Sequence, residues 1–132
     1  MDEKIACDTT FLIDLQRSSR NRSGVAARQF LERYVGSRFF LSVIALGEFA
    51  AGFADERDAV LVEIKRHFAV LPLDEAVALT YRTIFRELRR AGNLIGANDL
   101  WIAATALRHG LPLVTANHIE FSRIRQLRVL RY

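Results

Sequence analysis

Short apolar runs alternate with segments of helical periodicity along the chain. Apolar runs predict strands at residues 4–7, 39–41, 69–71, 112–115 and 128–130, the last at a sheet edge. Apolar positions three and four residues apart predict helices after Asp8, from Val25 to near Gly36, from Val43 to about Ala54, over 55–67, from Asp74 to Gly92 and over 99–109. Turns or loops are predicted at 18–23 and 94–98.

The order of these elements predicts the fold class. Strands that are short and apolar throughout, separated by helices, are typical of a parallel sheet covered on both faces. We therefore expect a single α/β domain over residues 1–132, with three α/β/α layers, four to five parallel strands and about six to seven helices. Ligands of such sheets bind beyond the carboxyl ends of the strands, near the switch in strand order.

Composition narrows the function classes. Of the 132 residues 51% are hydrophobic, with only 7 Gly and 2 Pro, which excludes collagenous and disordered chains. The single Cys7 allows no disulfide within the chain and favours a reducing, cytoplasmic compartment. No uncharged apolar stretch approaches the roughly 20 residues of a membrane span, so we expect no membrane partner.

The charge balance points towards nucleic acid. The net charge is +4, and only Lys4 and Lys65 among the 19 basic residues are lysine. Arginine binds phosphate through a planar pair of donors, which favours a nucleic-acid partner. Codon bias towards arginine in the source genome would give the same composition.

Three acids are each the only charge in an apolar neighbourhood. Asp8 follows Ile5-Ala6-Cys7, Glu48 is alone within residues 43–54, and Asp99 precedes an uncharged stretch that lasts to Arg108. A buried, uncompensated carboxylate costs several kcal/mol. Asp8 and Asp99 could be simple helix N-caps, and Glu48 could lie at an edge that a distant arginine reaches.

The predicted topology brings these acids to one edge of the sheet. Asp8 ends the first strand, Glu48 lies in the helix after the second, and Asp99 opens the helix before the fourth, beyond which Thr115 and Asn117 follow. Oxygen ligands without His or Cys suit Mg²⁺ or Mn²⁺ rather than zinc. Carboxylates that hold such cations are typical of phosphodiester hydrolysis, in which the metal activates water and offsets charge on the phosphate.

Four motifs in order resemble the PIN-domain ribonucleases, in particular the VapC-type toxins of bacterial toxin–antitoxin pairs. The motifs are Asp8-Thr9-Thr10-Phe11-Leu12-Ile13-Asp14, Ser42-Val43-Ile44-Ala45-Leu46-Gly47-Glu48, Asn98-Asp99-Leu100-Trp101-Ile102-Ala103-Ala104 and Leu113-Val114-Thr115-Ala116-Asn117, with Phe121 following. The resemblance implies a metal-dependent endoribonuclease that leaves a 5′-phosphate and a 3′-hydroxyl. It also implies a homodimer inhibited by a cognate antitoxin protein.

The resemblance also implies roles for individual residues. Asp8, Glu48 and Asp99 match the three main acids of the family, and the fourth acidic position falls on Asn117, where Asp is commoner. We expect Asp8 and Asp99 to bind Mg²⁺, Glu48 to complete its shell or orient the attacking water, and Thr115 and Asn117 to position water or phosphate. Asn117 supplies no charge, and Glu120 could substitute, although a solvated loop acid is the simpler interpretation.

Partner surfaces are expected from arginines and from one helix. Arginines in two stretches, Arg17, Arg20, Arg22, Arg28, Arg33 and Arg38, and Arg123, Arg125, Arg128 and Arg131, are candidates for RNA contact, and solvated helix faces would look the same. Phe49 and Phe53, four residues apart, could line an antitoxin groove or pack in the core.

Three other classes of function compete with the nuclease. A non-catalytic RNA-binding module of the same fold is the main alternative, because Asn117 weakens the acid set. A phosphoacceptor receiver domain needs a second acid beside Asp8 and a late lysine, and neither is present. Nucleotide-cofactor binding is disfavoured because the chain has neither a glycine-rich dinucleotide fingerprint nor a P-loop.

Overall fold

Five parallel strands form the centre of the fold. A computed structural model describes residues 3–17 and 21–132. The strands are β1 (Lys4–Cys7), β2 (Arg38–Ser42), β3 (Phe68–Leu71), β4 (Leu113–Val114) and β5 (Val129–Leu130). They pair in the order β3-β2-β1-β4-β5. Within the described residues there are seven helices: α1 (Thr9–Gln16), α2 (Arg22–Arg33), α3 (Val43–Ala50), α4 (Ala59–His67), α5 (Glu75–Arg90), α6 (Ala97–Arg108) and α7 (His118–Phe121).

The two faces of the sheet are buried under different helices. Side chains alternate along each strand, so Ala6, Phe40 and Leu113 face the cluster that includes α5 and α6. Their neighbours Ile5, Cys7, Leu41 and Val114 face the cluster formed with α1, α2 and α4. This arrangement confirms the predicted three-layer α/β/α fold with a parallel sheet.

Polar caps and left-handed glycines set many of the helix ends. Asp8, Ser42 and Asp74 cap α1, α3 and α5 by accepting backbone N–H donors at 3.1, 3.0 and 2.9 Å, as their positions predicted. After α5 and α6 the chain turns at Gly92 (φ +69°) and Gly110 (φ +66°), a conformation that favours glycine.

Several boundaries differ from the sequence predictions. Helix α3 ends at Ala50 rather than near Ala54, and α4 begins at Ala59 rather than Asp55. The reason is a turn between them, in which the Asp55 carboxylate accepts the Arg57 N–H at 2.8 Å, while Asp58 caps α4. Helix α7 was not predicted as an element. Part of the turn expected at 18–23, residues 18–20 with Arg20, lies outside the described residues.

The strand order puts a switch point at the carboxyl end of β1. From β1 the chain builds outwards through β2 and β3, then crosses back to add β4 and β5 on the other side. The connections therefore diverge between β1 and β4, where Cys7 pairs with Val114. This position is where doubly wound sheets bind ligands. Among the described residues, no helix is long and apolar enough to cross a membrane.

Candidate active site

Asp8 and Thr115 meet at the switch point. Each is the first residue after its strand, and because β1 and β4 are paired the two side chains are adjacent. The Thr115 hydroxyl donates to Asp8 Oδ2 at 2.6 Å and accepts the Asn117 N–H at 2.8 Å. Both residues are almost completely buried, so the Asp8 carboxylate depends on this local set of donors.

Thr10 supplies a second hydroxyl donor to Asp8. Its Oγ1 donates to Asp8 Oδ1 at 2.7 Å and accepts the Ala116 N–H at 3.1 Å, which fixes the loop after β4 against α1. The same Asp8 oxygen accepts the Phe11 N–H. Asp8 is therefore an N-cap and also part of a polar network, so the two interpretations of this residue are not exclusive.

Glu48 projects from α3 towards the beginnings of α1 and α6. Its carboxylate accepts hydrogen bonds from Thr9 Oγ1 at 2.5 Å and from Asn98 Nδ2 at 3.1 Å. Glu48 is exposed, so the expected burial cost does not apply to it. The alternative in which a distant arginine pairs with Glu48 is wrong within the described residues, because none of the ion pairs found there includes it.

Asp99 lies in the first turn of α6 and does not cap it. Helix α6 begins at Ala97 after Gly96, which contradicts the N-cap interpretation of Asp99. Asn117 Nδ2 lies 3.4 Å from Asp99 Oδ2 and donates to Glu120 Oε2 at 3.2 Å. Glu120 is half-buried in α7, so describing it as a solvated loop acid is wrong about its surroundings.

The acids are close enough to disturb one another's ionisation. The pKa of Asp99 is raised from 3.8 to about 6, first by burial and then by the negative charges of Asp8, Glu48 and Glu120. Burial also raises the pKa of Asp8, while hydrogen bonds from Thr115 and Thr10 act against that rise. The site is thus a concentration of negative charge held by neutral hydroxyl and amide donors.

The oxygen atoms at the site are of the kind that binds a divalent cation. Within residues 3–17 and 21–132, no three carboxylate, imidazole or thiolate side chains form a ready-made metal site. The chemistry fits nonetheless: all the nearby ligand atoms are oxygens, and none of the ion pairs in this part of the chain neutralises Asp8, Glu48 or Asp99. A hard cation would offset the mutual repulsion that raises the pKa of Asp99.

The two predicted arginine stretches meet at a cleft beside the acids. Arg22 from the first stretch and Arg131 from the second both line a cavity of about 370 Å³ that also contains Thr115 and His118. Arg38 and Arg128 are placed differently: Arg38 lies over the Phe40 ring, and Arg128 lies 3.6 Å from Glu3. The structure brings together some of the predicted arginines and not all of them.

Sequence reasoning did not assign Thr9, Thr10 and Asn98 to the site. The signal was available, since each adjoins a predicted acid or lies within two residues of it, and each carries a donor. The residues around the predicted antitoxin groove differ in their exposure. Phe49 is buried in the core, whereas Leu46 and Ala50 line an open cavity on the same helix.

Comparison with known proteins identifies the family. The PIN domain sequence profile matches residues 5–127. Ribonuclease VapC1 of Methanocaldococcus jannaschii is 31% identical over 126 residues, covering 95% of this chain and 84% of that protein. Ribonuclease VapC1 of Rickettsia felis is 31% identical over 131 residues, covering 93% and 92%. The chain belongs to the PIN-domain family and, within it, to the VapC ribonucleases, which confirms the resemblance.

Two solved structures agree with this assignment. The structure of VapBC-1 from nontypeable Haemophilus influenzae superposes with a TM-score of 0.78 at 28% identity, covering 97% of both chains. The DNA-bound VapBC of Salmonella typhimurium gives a TM-score of 0.75 at 26% identity, covering 99% of this chain and 98% of that one. These similarities confirm the predicted fold over nearly the whole chain.

Proposed function

We propose that this chain is a Mg²⁺-dependent endoribonuclease and the toxin of a toxin–antitoxin pair, with Mn²⁺ as an alternative metal. One observation carries the proposal: the carboxylates of Asp8, Glu48 and Asp99, from three separate elements, are close enough for their charges to interact, and among the described residues only neutral donors are hydrogen-bonded to them. Folding alone does not require such a cluster, because its charges repel one another.

In this proposal Asp8 and Asp99 hold the metal. A bound divalent cation would activate water and offset negative charge on the phosphate. Thr115 positions Asp8, and its hydroxyl bond counters the burial that raises the pKa of that carboxyl. Thr115 therefore favours the charged form of Asp8, which is the form that binds metal.

Glu48, Asn117 and Glu120 surround the phosphate in this arrangement. Glu48 is exposed and held by two donors, so it can orient a water for in-line attack. Asn117 donates towards Asp99 and Glu120, and we assign it to positioning. Glu120 is proposed as the fourth acid in place of the Asp that is commoner at position 117. Cleavage would leave a 5′-phosphate and a 3′-hydroxyl.

RNA contact is proposed at the cleft beside Thr115. Arg22 and Arg131 line it, and arginine binds phosphate through paired donors. A phosphate next to the scissile bond would then lie within reach of both side chains. The cleft supports an RNA substrate because it places two arginines beside Thr115, which donates to Asp8, while its one lining acid, Asp14, already accepts the Tyr132 hydroxyl.

The proposed partners are a cognate antitoxin and a second copy of this chain. The Haemophilus influenzae structure is that of VapBC-1, and VapBC is a family of toxin–antitoxin systems, so we extend that partnership to this chain. A basic antitoxin side chain that reached the acids would meet complementary charge. The neighbouring reading frame gives a direct check. If it encodes a short partner protein, that protein, co-expressed with this chain, should bind it and suppress its cleavage of RNA.

The nuclease proposal is tested by removing one charge at a time. Asp8→Asn and Asp99→Asn should each lower Mg²⁺-dependent cleavage of single-stranded RNA by at least about a hundredfold, with EDTA abolishing wild-type cleavage. Asp74→Asn is the matched control, because Asp74 caps α5 and is not among the charges that raise the pKa of Asp99. Wild-type activity in both acid variants would overturn the ligand assignment. RNA binding without any cleavage would favour the non-catalytic module instead.

A further inference from the structure

Helix α5 carries a row of arginines without acidic partners. Arg82, Arg86 and Arg89 are four and three residues apart and therefore share one face. With Arg90 they are exposed, and none of them takes part in the ion pairs found within the described residues. These four side chains, with Tyr81 and Phe85, line an open groove of about 730 Å³.

A second groove continues this surface. Its volume is about 430 Å³, and Arg90 lines both grooves, so they are contiguous. The second groove adds Arg123 and Arg125, and its lining acid, Glu87, already accepts a hydrogen bond from Gln126 at 3.0 Å. Together these residues form the α5 surface: Arg82, Arg86, Arg89, Arg90, Arg123 and Arg125. Positive charge in such excess is suited to a polyanion.

Aromatic rings lie along one side of the α5 surface. Tyr81 stacks on Trp101 with ring centroids 3.9 Å apart, and Phe85 lies nearly parallel to Tyr81 at 6.1 Å. All three rings are half-buried. Phe85 belongs to the first groove, so an apolar ring face adjoins the arginines. Nucleobases stack on such faces without regard to sequence.

The α5 surface begins next to the candidate active site. Helices α5 and α6 are joined by residues 91–96 and pack side by side, with Tyr81 of α5 stacked on Trp101 of α6. Trp101 lies one turn after Asn98 on the same face of α6, and Asn98 donates to Glu48 at 3.1 Å. An RNA strand that leaves Glu48 on this side would pass these rings, and Phe85 and Tyr81 line the groove that contains the arginines.

We propose that the α5 surface binds the single-stranded RNA that flanks the cleaved bond, with phosphates on the arginines and bases on Phe85. This inference rests on the proposed nuclease function and extends the RNA site beyond the cleft of Arg22 and Arg131. A second copy of the chain is the less favourable occupant, because two copies face to face would bring their arginines together. The chemistry calls instead for a flexible polyanion with aromatic bases.

Binding measurements test the surface independently of cleavage. A single-stranded RNA of about 20 nucleotides is titrated in EDTA over a range of salt concentrations. Arg86→Ala/Arg89→Ala should weaken binding about tenfold or more and reduce the slope of log K against log salt by about 1.4, since each phosphate contact contributes about 0.7. The matched control is Lys65→Ala/Arg108→Ala, which removes equal charge from exposed side chains outside the ion pairs of the described residues and should leave the slope near the wild-type value.

Kinetics and a ring substitution make the test sharper. Arg86→Ala/Arg89→Ala should raise KM about tenfold with kcat unchanged, because these residues contact RNA and not the reacting atoms. Phe85→Leu keeps apolar volume and removes the ring face, so it should weaken RNA binding several-fold. Its control, Phe53→Leu, alters another half-buried ring that pairs with Phe49.

The outcomes separate this inference from the nuclease proposal. RNA affinity equal to that of the control variants would overturn the α5 surface while leaving cleavage by the acids intact. A change from dimer to monomer in Arg86→Ala/Arg89→Ala, measured by sedimentation without RNA, would show a self-association surface and also overturn it. A third outcome is possible. If Arg86→Ala/Arg89→Ala selectively loses RNA binding while the wild type binds RNA and never cleaves it, the α5 surface is supported and the nuclease proposal is refuted.

Discussion

Asp99→Asn should stabilise the metal-free protein. Asp99 has a pKa of about 6 in the fold against 3.8 ordinarily, so the folded state holds its proton more tightly than the unfolded state does. The stability that this proton provides is complete below about pH 4 and is lost as pH rises through about 6. Asparagine cannot ionise and keeps that contribution at neutral pH.

The expected gain in the free energy of unfolding follows from the pKa shift of Asp99, reduced for screening by solvent. One pKa unit corresponds to about 1.4 kcal/mol, but Asp99 is only half-buried and screening reduces the total, leaving about 1 kcal/mol. For a chain of this length that is about 4 °C in Tm. A purely structural acid at the start of a helix gives the opposite sign, since losing its favourable interaction with the helix dipole costs a few tenths of a kcal/mol or more.

Thermal unfolding in EDTA at about pH 4.5 and about pH 7.5 is the assay. The gain of Asp99→Asn over wild type should be about 4 °C at the higher pH and about a third of that at the lower, because about pH 4.5 lies above the ordinary pKa of 3.8, whereas Asp74→Asn should gain nothing at either. Adding Mg²⁺ at about pH 7.5 should raise the Tm of wild type more than that of Asp99→Asn. A Tm below wild type for Asp99→Asn in EDTA at about pH 7.5 would refute the reasoning.

Two further predictions concern single hydroxyl groups and glycines. Thr115→Val removes a buried bond to a carboxylate, so it should lower the free energy of unfolding by about 2 kcal/mol and shift the pH profile of cleavage upwards. The control Thr105→Val loses only a bond within its own helix, to Trp101 O, and equal effects in both variants would contradict a special role for Thr115. Gly110→Ala should destabilise by about 1 kcal/mol, because φ is +66° there. Gly47 lies in α3 with open space where an added Cβ would stand, so Gly47→Ala should stabilise the fold by a similar amount. Denaturant unfolding must therefore give changes in the free energy of unfolding of opposite sign for the two variants.

The sequence predicted the elements that local chemistry determines. Strand β1 and the helix caps at Asp8, Ser42 and Asp74 follow from apolar runs that stop at short polar side chains. The boundaries at 50–59 and 97 were wrong because they depend on turns and backbone contacts that periodicity does not report. The short α7 lacks a full apolar period and could not be read from the pattern.

The sequence predicted which residues form the candidate site but not their exposure or their hydrogen-bond partners. Sheet topology was enough to place Asp8, Glu48, Asp99, Thr115 and Asn117 at one edge. The exposure of Glu48, the partners of Thr9 and Asn98, and the contact of Glu120 with Asn117 are tertiary facts between elements far apart in sequence. The α5 arginines were overlooked for a related reason: beside Glu87 they looked like an ordinary solvated helix face.

The pairing of β1 with β4 sets when the site can exist during synthesis. Asp8 receives one of its hydrogen bonds, that from Thr115, from a residue 107 positions later, and β5 then covers the far side of β4. A chain that stops just after Asp99 contains all three main acids but lacks the strand that orders the first of them. The ribosome therefore makes Asp8, Glu48 and Asp99 before it makes the residues that assemble them. We expect a chain that stops before β4 to be inactive, because its Asp8 lacks the Thr115 hydroxyl.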